Sequence, residues 1–229
     1  MKSLPEDRLW QPVTAKWFAV VFGVSLFYAI VRYHLAGDVA WRHFPMFILN
    51  KATSLAAVAF VASSYLIGKI IRWHDDNKLL RLVVIKFCGL MGFFLAGIHA
   101  LFSFCILRPA YFAKYFDAGG RLNLQGELAM AVGVVALFCL MSPAITTLPM
   151  MPKALGGWRW KRSQRLGYLA LILVVVHLVA LGLKGWLAPS SWTAGLPPIS
   201  LLALLAALVP LVVKSRRVRA KQEREEQPQ

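Results

Sequence analysis

Charge is scarce in this chain, and acidic charge most of all. Only 16% of the 229 residues are charged, with 10 Asp and Glu against 26 Lys and Arg, while 59% are hydrophobic. A soluble domain of this size has no need of so much apolar sequence, so the composition describes an integral membrane protein. The net charge of +16 does not argue for nucleic acid, because the bases cluster beside apolar runs and read as topology signals. Cysteines are few: Cys88, Cys105 and Cys139 all fall inside apolar runs without CxxC spacing. That excludes a disulfide framework and leaves no thiolate set for zinc or an iron–sulfur cluster; packing is their expected use. No GxGxxG or P-loop glycine pattern follows a strand, so no nucleotide domain is present. The short alternating strands of a membrane β-barrel are also lacking.

What the chain does have is a series of continuous apolar runs. A bilayer core of about 30 Å takes roughly 20 helical residues, so the pattern predicts an all-α bundle of six transmembrane helices. They are expected at residues 17–31, 52–71, 82–107, 128–148, 166–183 and 199–213. Residues 1–16 form a polar segment expected at the membrane surface, 17–213 the membrane domain, and 214–229 a basic tail too polar to fold alone. The basic start could also serve as a secretory signal, but no small-residue cleavage site precedes Trp41 and further spans follow. Pro143 and Pro210 are read as lying near helix ends. Lys and Arg set the orientation: 19 lie at the ends and in the second and fourth loops, against 7 on the opposite side. Both termini are therefore expected in the cytoplasm.

The run at residues 165–185, RLGYLALILVVVHLVALGLKG, contains one histidine, His177. An imidazole in hydrocarbon needs a partner, which makes it a candidate functional residue. The other long apolar run with a histidine is residues 88–107, which holds His99. His99 lies 13 residues beyond Lys86 and His177 lies 12 beyond Arg165. At about 1.5 Å per residue both climb roughly 18–20 Å from the cytoplasmic side, into one layer in the outer half of the membrane. Two neutral imidazoles at one depth are what a haem iron takes as axial ligands. Small residues share their helix faces: Gly89, Gly92, Ala96 and Ser103 with His99, and Gly167, Ala170, Val174 and Leu181 with His177. Such stripes serve either a flat cofactor or close helix packing, and the sequence leaves both open. His34, His43 and His74 fall in loops and read as solvated or locally bonded. Glu127 opens the fourth helix, where an acid favours the helix dipole.

The stretches GLMGFFLAGIHALFS and WRWKRSQRLGYLALILVVVHLV carry a resemblance. Through them the chain resembles the ferric-reductase-like transmembrane family, the six-helix haem domain shared by ferric reductases, NADPH oxidases and the haem-binding membrane subunit of bacterial methionine sulfoxide reductase systems. Trp160, Arg165, Leu166, Tyr168 and His177 match the pattern of that bacterial subunit, and the resemblance covers the second to sixth helices. It implies that His99 and His177 are the ligands of the outer haem. The family's inner pair is not matched: Gln164 stands where a histidine is expected, and the step down from His99 reaches Ile85 or Lys86.

The resulting expectation is a b-type cytochrome of a bacterial inner membrane, embedded in the lipid bilayer with one haem b between His99 and His177. It would be an electron-transfer subunit of an oxidoreductase, not a complete enzyme. Its expected donor is a quinone or a flavin such as FMN, the latter from a cytoplasmic flavin reductase, and its acceptor an outer-face, periplasmic redox partner. Nucleic acid is not an expected partner. The alternative is a non-redox carrier or structural membrane protein whose two histidines make a polar contact.

Overall fold

The computed structural model describes residues 11–70, 78–148 and 150–225. The readings of residues 1–10, of His74 and of the last four residues lie outside these. Helix α1 (Pro12–Ala29) begins with proline, whose missing N–H costs nothing in a first turn, and the Gln11 N–H donates to Thr14 Oγ1 at 2.9 Å. It runs on as a π-helical turn (Ile30–Leu35). A 3-10 turn (Trp41–His43) and a second π-helical stretch (Phe44–Ile48) lead into α2 (Leu49–Ile70). Then come α3 (Lys78–Cys105), the single turn α4 (Pro109–Phe112), α5 (Leu124–Ile145), α6 (Met151–Trp186) and α7 (Ile199–Glu225). Six helical stretches are long and apolar enough to cross a membrane, and no strand occurs among the described residues. The protein is a multi-pass helical membrane protein.

Several boundaries differ from the sequence reading. Helix α6 starts at Met151, so the basic stretch before Arg165 is helical, not a loop. The break comes earlier, at Gly156, whose φ of +70° only glycine adopts without strain. The first part of the tail is likewise helical, since α7 continues to Glu225, and Pro210 is therefore internal to a helix and not near its end. Pro143 does lie in the last turn of α5. The start of α5 is capped by Asn123, whose side chain accepts the Gly126 N–H at 3.0 Å, with Glu127 in the first turn as expected.

Helix α2 is the hub of the bundle, packed against α1, α3 and α7, while α5 and α6 pair and α6 also meets α7. Phe60, Val84, Phe87 and Cys88 form one buried cluster, and Val61, Leu140, Ala170, Leu171 and Ala207 another. Close approach uses part of the small-residue stripes. A Cβ on Gly92 would lie 2.5 Å from Val61 Cγ2 and 2.9 Å from its backbone nitrogen, and one on Gly167 would collide with the Tyr65 hydroxyl. Outward faces carry exposed Val20, Phe27, Phe94, Ile172 and Leu205, an apolar girdle suited to lipid. Of the cysteines, Cys88 is buried and Cys139 packs against the second cluster, as expected, but Cys105 is exposed.

Candidate functional site

Above the tight packing at Gly92 and Gly167 the helices part around a cavity of about 700 Å³, a size typical of cofactor pockets. His99 from α3 and His177 from α6 both line it. The walls are mainly aliphatic, with Val58, Ala96, Leu137, Val174 and Ala203 among them. The stripes thus serve both readings: their lower glycines pack helices, and Ala96, Ser103, Val174 and Leu181 line the cavity.

Each imidazole is held from behind by a carbonyl. His99 Nδ1 donates to the Asn50 side-chain oxygen at 2.5 Å, with the Asn50 backbone carbonyl at 3.3 Å. Asn50, buried at 1% exposure, is itself steadied by Ser103, one helical turn beyond His99, whose Oγ accepts from Asn50 Nδ2 at 3.2 Å. His177 Nδ1 donates to the Ala129 carbonyl on α5 at 2.7 Å. Because a carbonyl only accepts, both rings carry their hydrogen on Nδ1, and each Nε2 keeps its lone pair. Neither Nε2 has a hydrogen-bond partner among the described residues. Metal-binding histidines have this arrangement: the outer bond fixes tautomer and ring direction and raises the basicity of the free nitrogen. Gly133 completes the seat, since a Cβ there would stand 2.9 Å from His177 Nδ1 and 3.0 Å from Cε1. The paired Nδ1 bonds, the glycine cradle and the largely apolar cavity suit a haem.

Sequence reasoning missed this support. Asn50 and Lys51 were read as loop residues, but the second span begins at Trp41 and places both inside it, on the cavity wall. A polar Asn-Lys pair entering an apolar run is a signal of its own in a membrane protein. Arg32 likewise belongs to the first span and lines the cavity. Between α4 and α5, burial holds the Lys114 amine below its ordinary pKa and pushes the Tyr115 hydroxyl above its own.

The other two described histidines are engaged locally. His34 Nδ1 bonds the Val39 carbonyl at 2.9 Å, and His43 Nδ1 meets the Tyr111 hydroxyl at 3.0 Å. Gln164 belongs to a separate polar knot, where its Nε2 donates to Thr146 Oγ1 at 3.0 Å and its backbone carbonyl accepts from the Tyr65 hydroxyl at 3.0 Å. Ser142 and Ser163 meet at 2.8 Å beside it, and Trp160 Nε1 donates to the Thr146 carbonyl at 3.1 Å.

Fold and site define a helical membrane protein with six spans and two half-buried imidazoles on a shared cavity. No family model matches the chain. It is 25% identical, over 74% of its length, to the metalloreductase STEAP2 of Mus musculus, of which it covers 40%. Over 55% of its length it is 33% identical to the protein-methionine-sulfoxide reductase heme-binding subunit MsrQ of Rhodospirillum rubrum, covering 60% of that protein. The MsrQ subunit of Herminiimonas arsenicoxydans is 28% identical over 58% of the chain and 58% of its own length. The chain thus spans less than two thirds of each of these relatives. These likenesses agree with the resemblance to the ferric-reductase-like membrane family read from the sequence.

Proposed function

We propose that this chain is a haem-binding electron-transfer subunit of a bacterial inner membrane, with His99 and His177 as the axial ligands of one haem b. The observation that carries the reading is that both histidines on the cavity donate through Nδ1 to fixed carbonyls, leaving two Nε2 lone pairs. When bound, the haem supplies one-electron iron redox chemistry. The chain's own residues supply ligation, ring orientation through Asn50 and Ala129, and aliphatic walls that limit water. The relatives' names, a heme-binding subunit and metalloreductases, support the same role. The electron is taken to come from a quinone or a flavin such as FMN, the latter on a cytoplasmic flavin reductase, and to leave to a periplasmic partner. The non-redox alternative, a polar contact between the two histidines, finds no support in the hydrogen bonds, which run to Asn50 and Ala129.

One haem is expected, not two. The Gln164 amide is committed to Thr146, and the Tyr65 ring occupies the space above Gly167 where a lower macrocycle would need room. Purified full-length protein should therefore give a haem-to-chain ratio near one and a low-spin b-type spectrum in reduced-minus-oxidised difference. A ratio near two would require a second ligand pair and overturn the single-site reading; no Soret band after expression with ample haem would overturn the function.

The membrane orientation has its own test. With both termini cytoplasmic, a C-terminal fluorescent-protein fusion should be bright and a C-terminal alkaline phosphatase fusion inactive, following the 19 to 7 division of Lys and Arg. The opposite pair of results would turn the histidine layer toward the cytoplasm.

A further inference from the structure

Among the described residues, the cavity that holds the two histidines is also lined by three cations and by no acid. They are Arg32, Lys51 and Lys114. Lys114 is partly satisfied, its Nζ donating to the Leu181 carbonyl at 3.1 Å and standing 4.7 Å from the centre of the Tyr115 ring. Neither of the other two meets a carboxylate among the described residues. Arg32 is buried at 7% exposure; its Nη1 donates to the Leu196 carbonyl and its guanidinium stands 5.6 Å from the centre of the Tyr33 ring, while its Nε has no partner among the described residues. Lys51 Nζ lies 5.0 Å from the ring centres of both Phe47 and Phe112, and no carboxylate or carbonyl accepts from it among the described residues. Cations in a membrane interior without a counter-ion are costly and rarely kept without a use. Lys51 also follows Asn50, the residue that bonds His99, so one turn of α2 brings a cation and a ligand support to the same cavity.

We infer that Arg32 and Lys51 bind the two carboxylates of the cavity's occupant, selecting a tetrapyrrole dicarboxylate over a neutral ring. The inference rests on the haem reading above and assigns an orientation to it: the acidic edge of the molecule faces Arg32 and Lys51 and not the aliphatic walls. Arginine offers a planar fork matched to a carboxylate, and lysine a point charge with three donors.

The test is a titration of full-length protein, purified after haem-limited expression, with iron protoporphyrin IX and separately with its dimethyl ester, followed by the Soret band. The wild type should bind the diacid about tenfold or more tightly than the ester, the factor expected for a charge-assisted hydrogen bond. Lys51→Gln and Arg32→Gln should each weaken diacid binding about tenfold and shrink the preference, while low-spin ligation persists because both histidines are intact. Lys51→Arg, which keeps the charge, should retain most of the preference. If Arg32→Gln fails to fold, the Lys51 pair decides the matter alone. Equal affinities of the wild type for diacid and ester, both low-spin, would overturn the carboxylate assignment and leave the haem reading standing. A protein that gives no low-spin spectrum with either compound would overturn both.

Discussion

Alanine at His99 or at His177 is expected to abolish the low-spin haem spectrum of the purified protein. On the proposed reading the two rings would hold the haem iron through their Nε2 atoms, and both rings are already aimed by Asn50 and Ala129. Loss of an outer partner alone costs metal sites roughly 10–100-fold in affinity, so loss of the ligand itself should cost at least that. The bundle should survive, because packing rests on clusters that neither histidine joins, such as Phe60 with Val84 and Phe87, or Leu140 with Ala170 and Leu171. Spectra of the two variants at matched protein concentration, with thermal unfolding as a control, make the check. Persistence of low-spin haem in both single variants would mean that other groups ligate the iron. The other described imidazoles are poorly placed for that, being bonded to Val39 and Tyr111.

Gly133→Val is the second large effect. Even the first carbon of a side chain there would lie 2.9 Å from His177 Nδ1, closer than real carbons approach, and valine adds two methyl groups beyond it. The imidazole must then turn away, which breaks its 2.7 Å bond to the Ala129 carbonyl and misdirects Nε2. Overpacking of this kind costs about 1–3 kcal/mol of stability, which a bundle of this size should tolerate. Haem occupancy should fall by roughly 10–100-fold, as for loss of an outer-shell partner. Gly97→Ala on α3 is the matched control, since a Cβ there meets nothing within 4 Å, and it should leave occupancy unchanged. A wild-type haem spectrum in Gly133→Val would show that the cradle is not needed.

Much of this site was legible in the residues. The two apolar runs with one histidine each announced themselves, and the rise from Lys86 and Arg165 put both imidazoles in one layer, where the structure gives them a common cavity. Gln164 was recognised as a missing histidine, although its bond to Thr146 was not foreseen. The supports stayed hidden. Ala129 contributes a backbone carbonyl, which every residue has, so no side chain marks it. Gly133 reads as one more small residue in AVGVVALF until the ring it admits, 44 positions away, is known. Arg32 and Lys51 fell just outside the expected spans 17–31 and 52–71, because π-helical and 3-10 turns carry the helical stretches beyond those bounds.

The residue pattern by itself determined that the chain crosses a membrane as helices and how many spans to expect, and it led to an expected common depth for His99 and His177. Transfer of a segment into lipid is close to a sum over its residues, and helical rise turns residue count directly into depth. Tertiary structure alone decided what stands behind and beside each histidine. That depends on how each helix is rotated and how closely it approaches its neighbours, which Gly92 and Gly167 set through contacts with Val61 and Tyr65 that are distant in the chain. Lipid is as apolar as the side chains it surrounds, so hydrophobicity cannot choose the inward face of a membrane helix; packing and a few hydrogen bonds must.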